Sequence, residues 1–353
     1  MAGTRSAYQG CLLGMAVGDA MGWPVDDKTW QEIQGDYGPN GLMGFDLANG
    51  SAEVSSHTQL CAFTGNGLLL ARTSEQLQGR SAPYVRYIAL SQKEWANAQR
   101  RSSALQRTYC WVYWVEQFCS HHCADSRLLD VLALERIGTL EDPINQLDTP
   151  CSLSAAVAVG MFAPQYDRLG AEAVALTCGD PNAFVCGALI ANFISALLDD
   201  HTTPLAELIH RGMGAINLEF SQDYPQTWTV LHTIRQAMEL AQTSTPPQAA
   251  MESLVCGNAA QVLAGAVYAL LTCGDDFDAA MITAVNHSGR SAAVAALVGA
   301  MLGARLGMEG VPDFYLESLD LCPPLMALAT DLYNGCPTPL DLDWERKYLQ
   351  GER

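Results

Sequence analysis

Apolar residues recur at three- and four-residue spacing along most of this chain, and the alternating pattern of β-strands is scarce. The pattern predicts an all-α protein. We expect an opening helix, then a loop-rich stretch over residues 25–54, then a long series of helices. The predicted series is 58–73, 81–97, 109–122, 128–137, 151–162, 169–178, 182–198, 204–213, 227–241, 250–272, 277–286 and 292–306.

Glycine recurs every four residues within two of the predicted helices, over 10–22 and again over 299–307. Each glycine inside a helix costs about 1 kcal/mol relative to alanine, so these runs need a packing reason. We predict that the two glycine faces let the helices cross closely at the centre of the protein. The same crossing would bring Asp19 near Arg290.

The glycine- and proline-rich stretch 25–54, called the flap below, has the irregular character of a loop that covers a ligand cleft. Two of its acids, if they converge, could perform acid/base catalysis without a metal; the alternative is that they are solvated. A histidine that follows the flap could act as a general base near neutral pH. The candidate catalytic residues are therefore Asp26, Asp27, Asp46, Glu53 and His57.

Small polar residues precede the apolar helix that starts near residue 291. Unpaired amides at a helix start commonly bind anions or metals. The only charge in this loop is Arg290, which the helix dipole disfavours, so an anion should offset it. That anion could be an internal carboxylate such as Asp19 or Asp46, or a ligand phosphate. The predicted cleft comprises Asp19, Ser55, Ser56, His57, Thr58, Asn286, His287, Ser288, Gly289, Arg290 and Ser291.

Several segments carry a resemblance to a known family. The sequence GCLLGMAVGDAMGWP over 10–24 is similar to the opening helix of the ADP-ribosylglycohydrolase family. Segments 38–40, 176–181 and 276–286 resemble later motifs of that family in the same order. The resemblance implies a compact, mostly orthogonal helical bundle that binds two magnesium ions and hydrolyses ADP-ribosyl N- or O-glycosidic bonds.

The metal motifs of that family are altered here. Its Thr-Asp-Asp-Thr motif matches residues 55–58, and its Gly-Gly-Asp-Thr-Asp-Thr motif matches residues 288–293. Magnesium prefers hard oxygen ligands anchored by carboxylates, and all four aspartates are missing. We therefore predict neither a metal nor a cofactor. The degenerate metal positions are Ser55, Ser56, His57, Arg290, Ala292 and Ala293.

These departures favour a pseudoenzyme that binds a protein partner or an ADP-ribosyl or nucleotide-like ligand in the former active-site cleft. Such a protein could serve an immunity or regulatory role. One alternative is an ADP-ribosyl hydrolase with an atypical site that does not use two magnesium ions. A second alternative is a structural protein, as crystallin-like relatives in the family suggest.

Composition narrows the partners and the compartment. The 353 residues carry a net charge of −19, which disfavours a nucleic-acid backbone and permits a basic protein partner. Twelve cysteines are too few for a disulfide scaffold and indicate a reduced, cytoplasmic protein. No apolar run predicts a membrane span, and we interpret the apolar opening segment as a core helix rather than a signal peptide.

Two further expectations concern the chain ends and a cysteine pair. We expect a helical domain over 1–312, with 313–353 wrapping its surface as part of the same domain. Cys119 and Cys123, with two histidines between them, resemble a soft-metal cluster. Structural zinc usually takes a second pair of ligands with similar spacing, and none is evident in the sequence.

Overall fold

The computed structural model describes residues 3–47, 50–100, 108–122, 124–162 and 167–352. Over these residues the protein is all-α, which confirms the predicted fold class. The helices are α1 (Arg5–Gly22), α2 (Trp30–Tyr37), α3 (Ser56–Gln78), α4 (Tyr84–Gln99), α5 (Ser126–Leu132), α6 (Ser154–Phe162), α7 (Asp167–Ala175), α8 (Pro181–Asp199), α9 (Leu205–Phe220), α10 (Thr227–Leu240), α11 (Pro247–Leu254), α12 (Ala259–Cys273), α13 (Phe277–Val285), α14 (Ser291–Leu306), α15 (Asp313–Ser318), α16 (Cys322–Asn334) and α17 (Leu342–Leu349).

Helices α1 and α14 cross at backbone contact distance in the buried core. A Cβ atom placed on Gly18 would lie 1.9 Å from the carbonyl oxygen of Ala295. A Cβ atom on Gly14 would lie 2.2 Å from the carbonyl oxygen of Gly299. Only hydrogen fits at these positions, so the predicted close crossing of the two glycine faces is confirmed.

Helix α8 is long and apolar enough to match a membrane span by length and composition, the single such helix within the described ranges. However, 72% of its apolar window is buried inside the protein. It packs between α6, α7 and α9 as a core helix.

The helix predicted over 109–122 is wrong. The structure has two 3₁₀ turns, Trp111–Trp114 and Glu116–Cys119, separated by Val115 in an extended conformation. The side chain of Glu94 accepts the first two backbone amides of the segment at 2.8 and 3.0 Å. Glu94 therefore caps the start of the segment without a helix following it, and the aromatic pattern reflects burial rather than helical periodicity.

The single helix predicted over 250–272 is also wrong, because the chain forms α11 and α12 with a break between them. Val255 and Cys256 adopt positive φ angles of 67° and 47°. The next helix then starts at a capping box, in which Asn258 and Gln261 each bind the other's backbone amide. An Asn-x-x-Gln signature in the sequence marks this helix start.

The flap is not entirely loop, contrary to the prediction for residues 25–54. It contains α2, which begins with a capping box between Thr29 and Glu32. The end of the flap is fixed by an isolated parallel bridge between Ala52 and Leu319. The described part of the flap thus includes a helix and is attached to the segment around α15.

Residues beyond α15 add two helices that pack against the first part of the chain. The rings of Tyr8 in α1 and Tyr333 in α16 lie 5.5 Å apart in an edge-on contact. In α17, the indole nitrogen of Trp344 donates to Thr73 Oγ1 of α3 at 2.9 Å.

Candidate functional site

Asp19 caps the start of α3 from inside α1. Its buried carboxylate accepts the backbone amides of Ser55 and Thr58 at 3.0 and 2.9 Å. It also accepts both hydroxyl groups, Ser55 Oγ at 2.5 Å and Thr58 Oγ1 at 2.6 Å. A carboxylate is favourable here because the first amides of a helix are unpaired and carry partial positive charge. Ser55 and Thr58 are thereby committed to an internal anion.

His57 is buried in the first turn of α3. Burial lowers its pKa; the Asp19 carboxylate opposes this shift, and the Arg290 guanidinium reinforces it. The imidazole is therefore neutral at neutral pH. Both Asp19 and Arg290 lie within electrostatic reach of His57, so the predicted cleft residues from α1, α3 and α14 do gather in one place. The backbone amide of Ser56 donates to the carbonyl of His122 at 3.1 Å.

Arg290 forms ion pairs with two acids that follow α1 directly. Its Nη1 atom lies 2.6 Å from Asp27 Oδ2, and its Nη2 atom lies 3.3 Å from Asp26 Oδ2. We expected Asp19 or Asp46 in this role, and the structure shows neither as an ion-pair partner of Arg290. The α1–α14 crossing accounts for the difference, because it brings the end of α1 beside the start of α14.

Asp26 is the buried member of this cluster. Its side chain is 5% exposed, compared with 22% for Arg290 and 66% for Asp27. Asp26 Oδ1 also accepts the first free amide of α14, from Ala292, at 3.0 Å. Burial raises the pKa of Asp26 to about 6, although Arg290 and the Ala292 amide oppose the shift. A buried, anionic cap thus stands where the helix dipole favours negative charge.

The guanidinium of Arg290 also contacts the thiol of Cys151. Its Nη2 atom lies 3.6 Å from Cys151 Sγ. Burial raises the pKa of Cys151 to about 11, so the thiol is protonated at neutral pH. The Nε atom of Arg290 is buried without a hydrogen-bond acceptor in the portion of the chain that is described.

The loop before α14 is held to the flap by Asn286. Its amide nitrogen donates to the carbonyl oxygens of Leu42 and Ile282, each at 2.8 Å. Its amide oxygen accepts the Leu42 backbone amide at 2.8 Å. Ser288 Oγ accepts the backbone amide of Trp30 at 2.9 Å, which ties α2 to the same loop.

The other loop residues are also engaged within the protein. The ring nitrogens of His287 lie 2.8 and 2.9 Å from two backbone carbonyl oxygens, and burial lowers its pKa. Ser291 Oγ donates to the Val285 carbonyl oxygen at 3.2 Å. Gly289 has a φ of 118°, and a Cβ atom there would lie 2.7 Å from the carbonyl oxygen of Val255. Glycine is therefore required at this position.

The remaining predicted acids make contacts within the flap and its edge. Asp46 Oδ2 accepts the hydroxyl of Tyr37 at 2.6 Å. Glu53 Oε2 lies 3.6 Å from His122 Nε2. The ring of His122 stacks on Trp23 at a centroid distance of 4.8 Å. These contacts join Asp46 to α2 and Glu53 to His122 rather than to the cluster around Arg290.

The predicted cysteine cluster is only partly described. Cys123 lies outside the described residues, and Cys119 Sγ contacts the carbonyl oxygen of Tyr113 at 3.3 Å. Across the ranges that the structure covers, no group of three or more His, Cys, Asp or Glu side chains is arranged to hold a metal ion.

Comparison with known proteins identifies the relatives of this fold. The family model for ADP-ribosylglycohydrolases matches residues 1–340. The chain belongs to the ADP-ribosylglycohydrolase family. A solved structure described as an ADP-ribosylglycohydrolase-related protein complex is similar, with a TM-score of 0.58 and 20% identity over 94% of this chain and 98% of that chain. Identity this low shows a common fold alone. A search of curated proteins finds no match.

Sequence reasoning missed one part of this family member's site, the turn between α11 and α12. Glu252 Oε1 accepts the backbone amide of Ser288 at 2.6 Å. The Cys256 carbonyl oxygen accepts the backbone amide of Arg290 at 3.0 Å. The capping box at Asn258 could have located the turn, whereas nothing local in the sequence indicates that it supports the loop before α14.

Proposed function

We propose that this chain is a catalytically inactive member of the ADP-ribosylglycohydrolase family that binds a partner without hydrolysing a glycosidic bond. The observation that carries the proposal is the position of the Arg290 guanidinium, which bridges Asp26 and Asp27 at one of the positions matched to the family's metal-binding aspartates. An internal ion-pair cluster thereby replaces the charge of the metal centre that the family motifs imply.

The side chains at the matched positions do not fit a magnesium pair. Ala292 and Ala293 have no ligand atom, and Ser55 donates its hydroxyl to Asp19. The two acids near these positions, Asp26 and Asp27, are already paired with the Arg290 guanidinium, so a metal ion would have to displace that cation to use them as ligands. Because magnesium needs several hard oxygens in an octahedron, we derive no metal-dependent step for this protein.

The same cluster favours a protein partner over a phosphate-bearing ligand. Arg290 is already paired with two carboxylates, so a phosphate would have to displace them. The net charge of −19 further opposes an anionic ligand and favours a basic one. An immunity or regulatory role would use binding of this kind. A titration with ADP-ribose tests the other ligand class, an ADP-ribosyl or nucleotide-like ligand.

A hydrolysis assay tests the absence of catalysis. The protein would be incubated with ADP-ribosylated proteins carrying N- or O-glycosidic linkages, with magnesium present or after treatment with EDTA. Chromatography of the released ADP-ribose should show no release above buffer in either condition. Release that magnesium supports and EDTA abolishes would overturn the proposal.

Metal and ligand binding are tested by thermal shift. Ligands that bind only the native state raise the melting temperature in a saturable way. We expect no saturable rise with magnesium for the wild-type protein. The variant Ser56→Asp/His57→Asp/Arg290→Asp/Ala292→Asp tests whether the scaffold can regain such a response. A parallel titration with ADP-ribose decides whether the cleft binds the nucleotide; a saturable rise would favour that ligand over the protein partner.

One observation favours the hydrolase alternative. The pKa of Asp26 is raised to about 6 by burial, next to Asp27, which is 66% exposed. A buried carboxyl group whose pKa lies near neutrality, beside a solvent-exposed carboxyl group, could exchange protons with a substrate near neutral pH. Release of ADP-ribose that resists EDTA and is lost in Asp26→Asn would support this alternative. A structural, crystallin-like role would show neither release nor binding.

A further inference from the structure

Three large apolar side chains are exposed on one face of the flap and α15. The exposed fractions are 56% for Met43, 42% for Leu47 and 56% for Phe314. The ring of Phe45 packs on Tyr315 at 5.0 Å, and Phe314 packs on Tyr315 at 4.2 Å. Met43 and Leu47 are each two residues from Phe45, so their Cα atoms lie within about 7 Å of it. Because Phe45 and Phe314 both pack on Tyr315, the segment that carries Met43 and Leu47 lies beside α15.

Hydrogen bonds hold the two segments of this surface to each other and to neighbouring parts of the protein. The backbone amide of Ala52 donates to the carbonyl oxygen of Ser318 at 2.8 Å. The hydroxyl of Tyr315 donates to Asp278 Oδ1 at 2.6 Å. Leu42, next to Met43, is bound on both backbone groups by Asn286. The surface is thus pre-formed and adjoins the loop that carries Arg290.

The segments that carry the exposed apolar side chains are acidic. Residues 38–54 contain two acids and residues 306–320 contain four, and neither segment contains lysine or arginine. Asp46 lies between Phe45 and Leu47 in sequence, and Asp313 precedes Phe314. Glu317 follows one helical turn later and is exposed, as is Asp313. We call Met43, Leu47 and Phe314, with Asp46, Asp313 and Glu317, the flap surface.

We propose that the flap surface docks a cationic segment of a partner protein, rich in lysine or arginine and carrying an aliphatic or aromatic anchor. Charge complementarity selects this occupant, because a potential of one sign steers and orients a partner of the opposite sign. Exposed Met and Phe supply the apolar contact that interfaces favour. This inference rests on the proposed function of binding without hydrolysis and names the chemical class of the partner.

Other occupants fit the charge less well. A second copy of the chain would also carry a net charge of −19 and would be repelled. Nucleic acids and anionic membranes are disfavoured for the same reason.

A second exposed apolar pair provides a matched control. Leu218 in α9 is 85% exposed, and Trp228 in α10 is 64% exposed. Residues 205–240, which contain both, carry four acids and two arginines, so this region is mixed in charge. It offers at least as much exposed apolar area per residue, but its segment carries arginines as well as acids.

The test measures fluorescence anisotropy of a labelled amphipathic peptide built from lysine and leucine. Two companion peptides replace leucine with serine, or lysine with glutamate. We expect saturable, salt-sensitive binding of the lysine–leucine peptide only. Loss of an anchoring side chain should weaken binding at least about fivefold in Met43→Ser/Phe314→Ser. Asp313→Lys/Glu317→Lys should weaken it similarly and reduce the dependence on salt.

The control variant Leu218→Ser/Trp228→Ser should bind the peptide as the wild-type protein does. Circular dichroism would confirm that each variant is folded. The proposal is overturned if the lysine–serine peptide binds equally well, if the control variant loses as much affinity, or if no peptide binds. Release of ADP-ribose is measured separately on the same proteins. A protein that binds the peptide and also releases ADP-ribose would refute only the proposed function.

Discussion

The substitution Arg290→Met removes the cation from a buried ion pair and leaves the carboxylate behind. Asp26 is 5% exposed and lies 3.3 Å from Arg290 Nη2. Removing one member of a buried pair typically costs about 3–5 kcal/mol of unfolding free energy. Arg290 is 22% exposed, so solvent screens part of the interaction and the lower end, about 3 kcal/mol, applies. Asp27, which is 66% exposed, adds little.

The loss should depend on pH because Asp26 can take up a proton. Burial already raises its folded-state pKa from 3.8 to about 6, and loss of Arg290 raises it further. A group with a raised pKa contributes stability that is fully present below its unfolded pKa and is lost as pH rises through the folded pKa. The variant should therefore lose little stability at about pH 5 and the full amount at about pH 8.

Urea denaturation, followed by circular dichroism at both pH values, measures this difference. Arg305→Met is the matched control, because Arg305 is 11% exposed and pairs with Asp275, which is 58% exposed. Its removal leaves no buried carboxylate, so its stability change should be similar at both pH values. The reasoning would be refuted if Arg290→Met lost equal stability at both pH values, or lost more in acid.

Three further substitutions test the packing around the site. Gly18→Ala places a Cβ atom 1.9 Å from a backbone oxygen and should lower the free energy of unfolding by about 3 kcal/mol. The control Gly214→Ala places its Cβ atom with no atom within 4 Å and should raise the free energy of unfolding by up to about 1 kcal/mol. Urea denaturation measures both changes. Asp19→Ala removes four accepted hydrogen bonds and should lower the free energy of unfolding by about 3 kcal/mol in the same assay. An unchanged unfolding transition would contradict the role of Asp19 as the cap of α3. Asn286→Ala should speed hydrogen exchange over residues 38–47, and unaltered exchange would argue against its anchoring role.

Features that depend on local periodicity were predictable from the sequence. The spacing of apolar residues predicts helices, and the four-residue glycine spacing predicts two faces without side chains. The capping boxes at Thr29 and Asn258 also mark helix starts in the sequence, but apolar spacing does not reveal them, so it does not predict α2 or the α11–α12 break. The aromatic segment 109–122 forms two 3₁₀ turns rather than the predicted helix, because burial selects aromatic residues without regard to helical period.

By itself, the sequence determined that the chain is helical and which two helices cross closely. Only the tertiary structure decided which acids pair with Arg290. Asp19 accepts hydrogen bonds from the start of α3 rather than pairing with Arg290. Arg290 instead pairs with Asp27, which is 263 positions away in the sequence. The physical reason is range: helical periodicity is a property of neighbouring residues, whereas an ion pair depends on where distant segments meet after the core has packed.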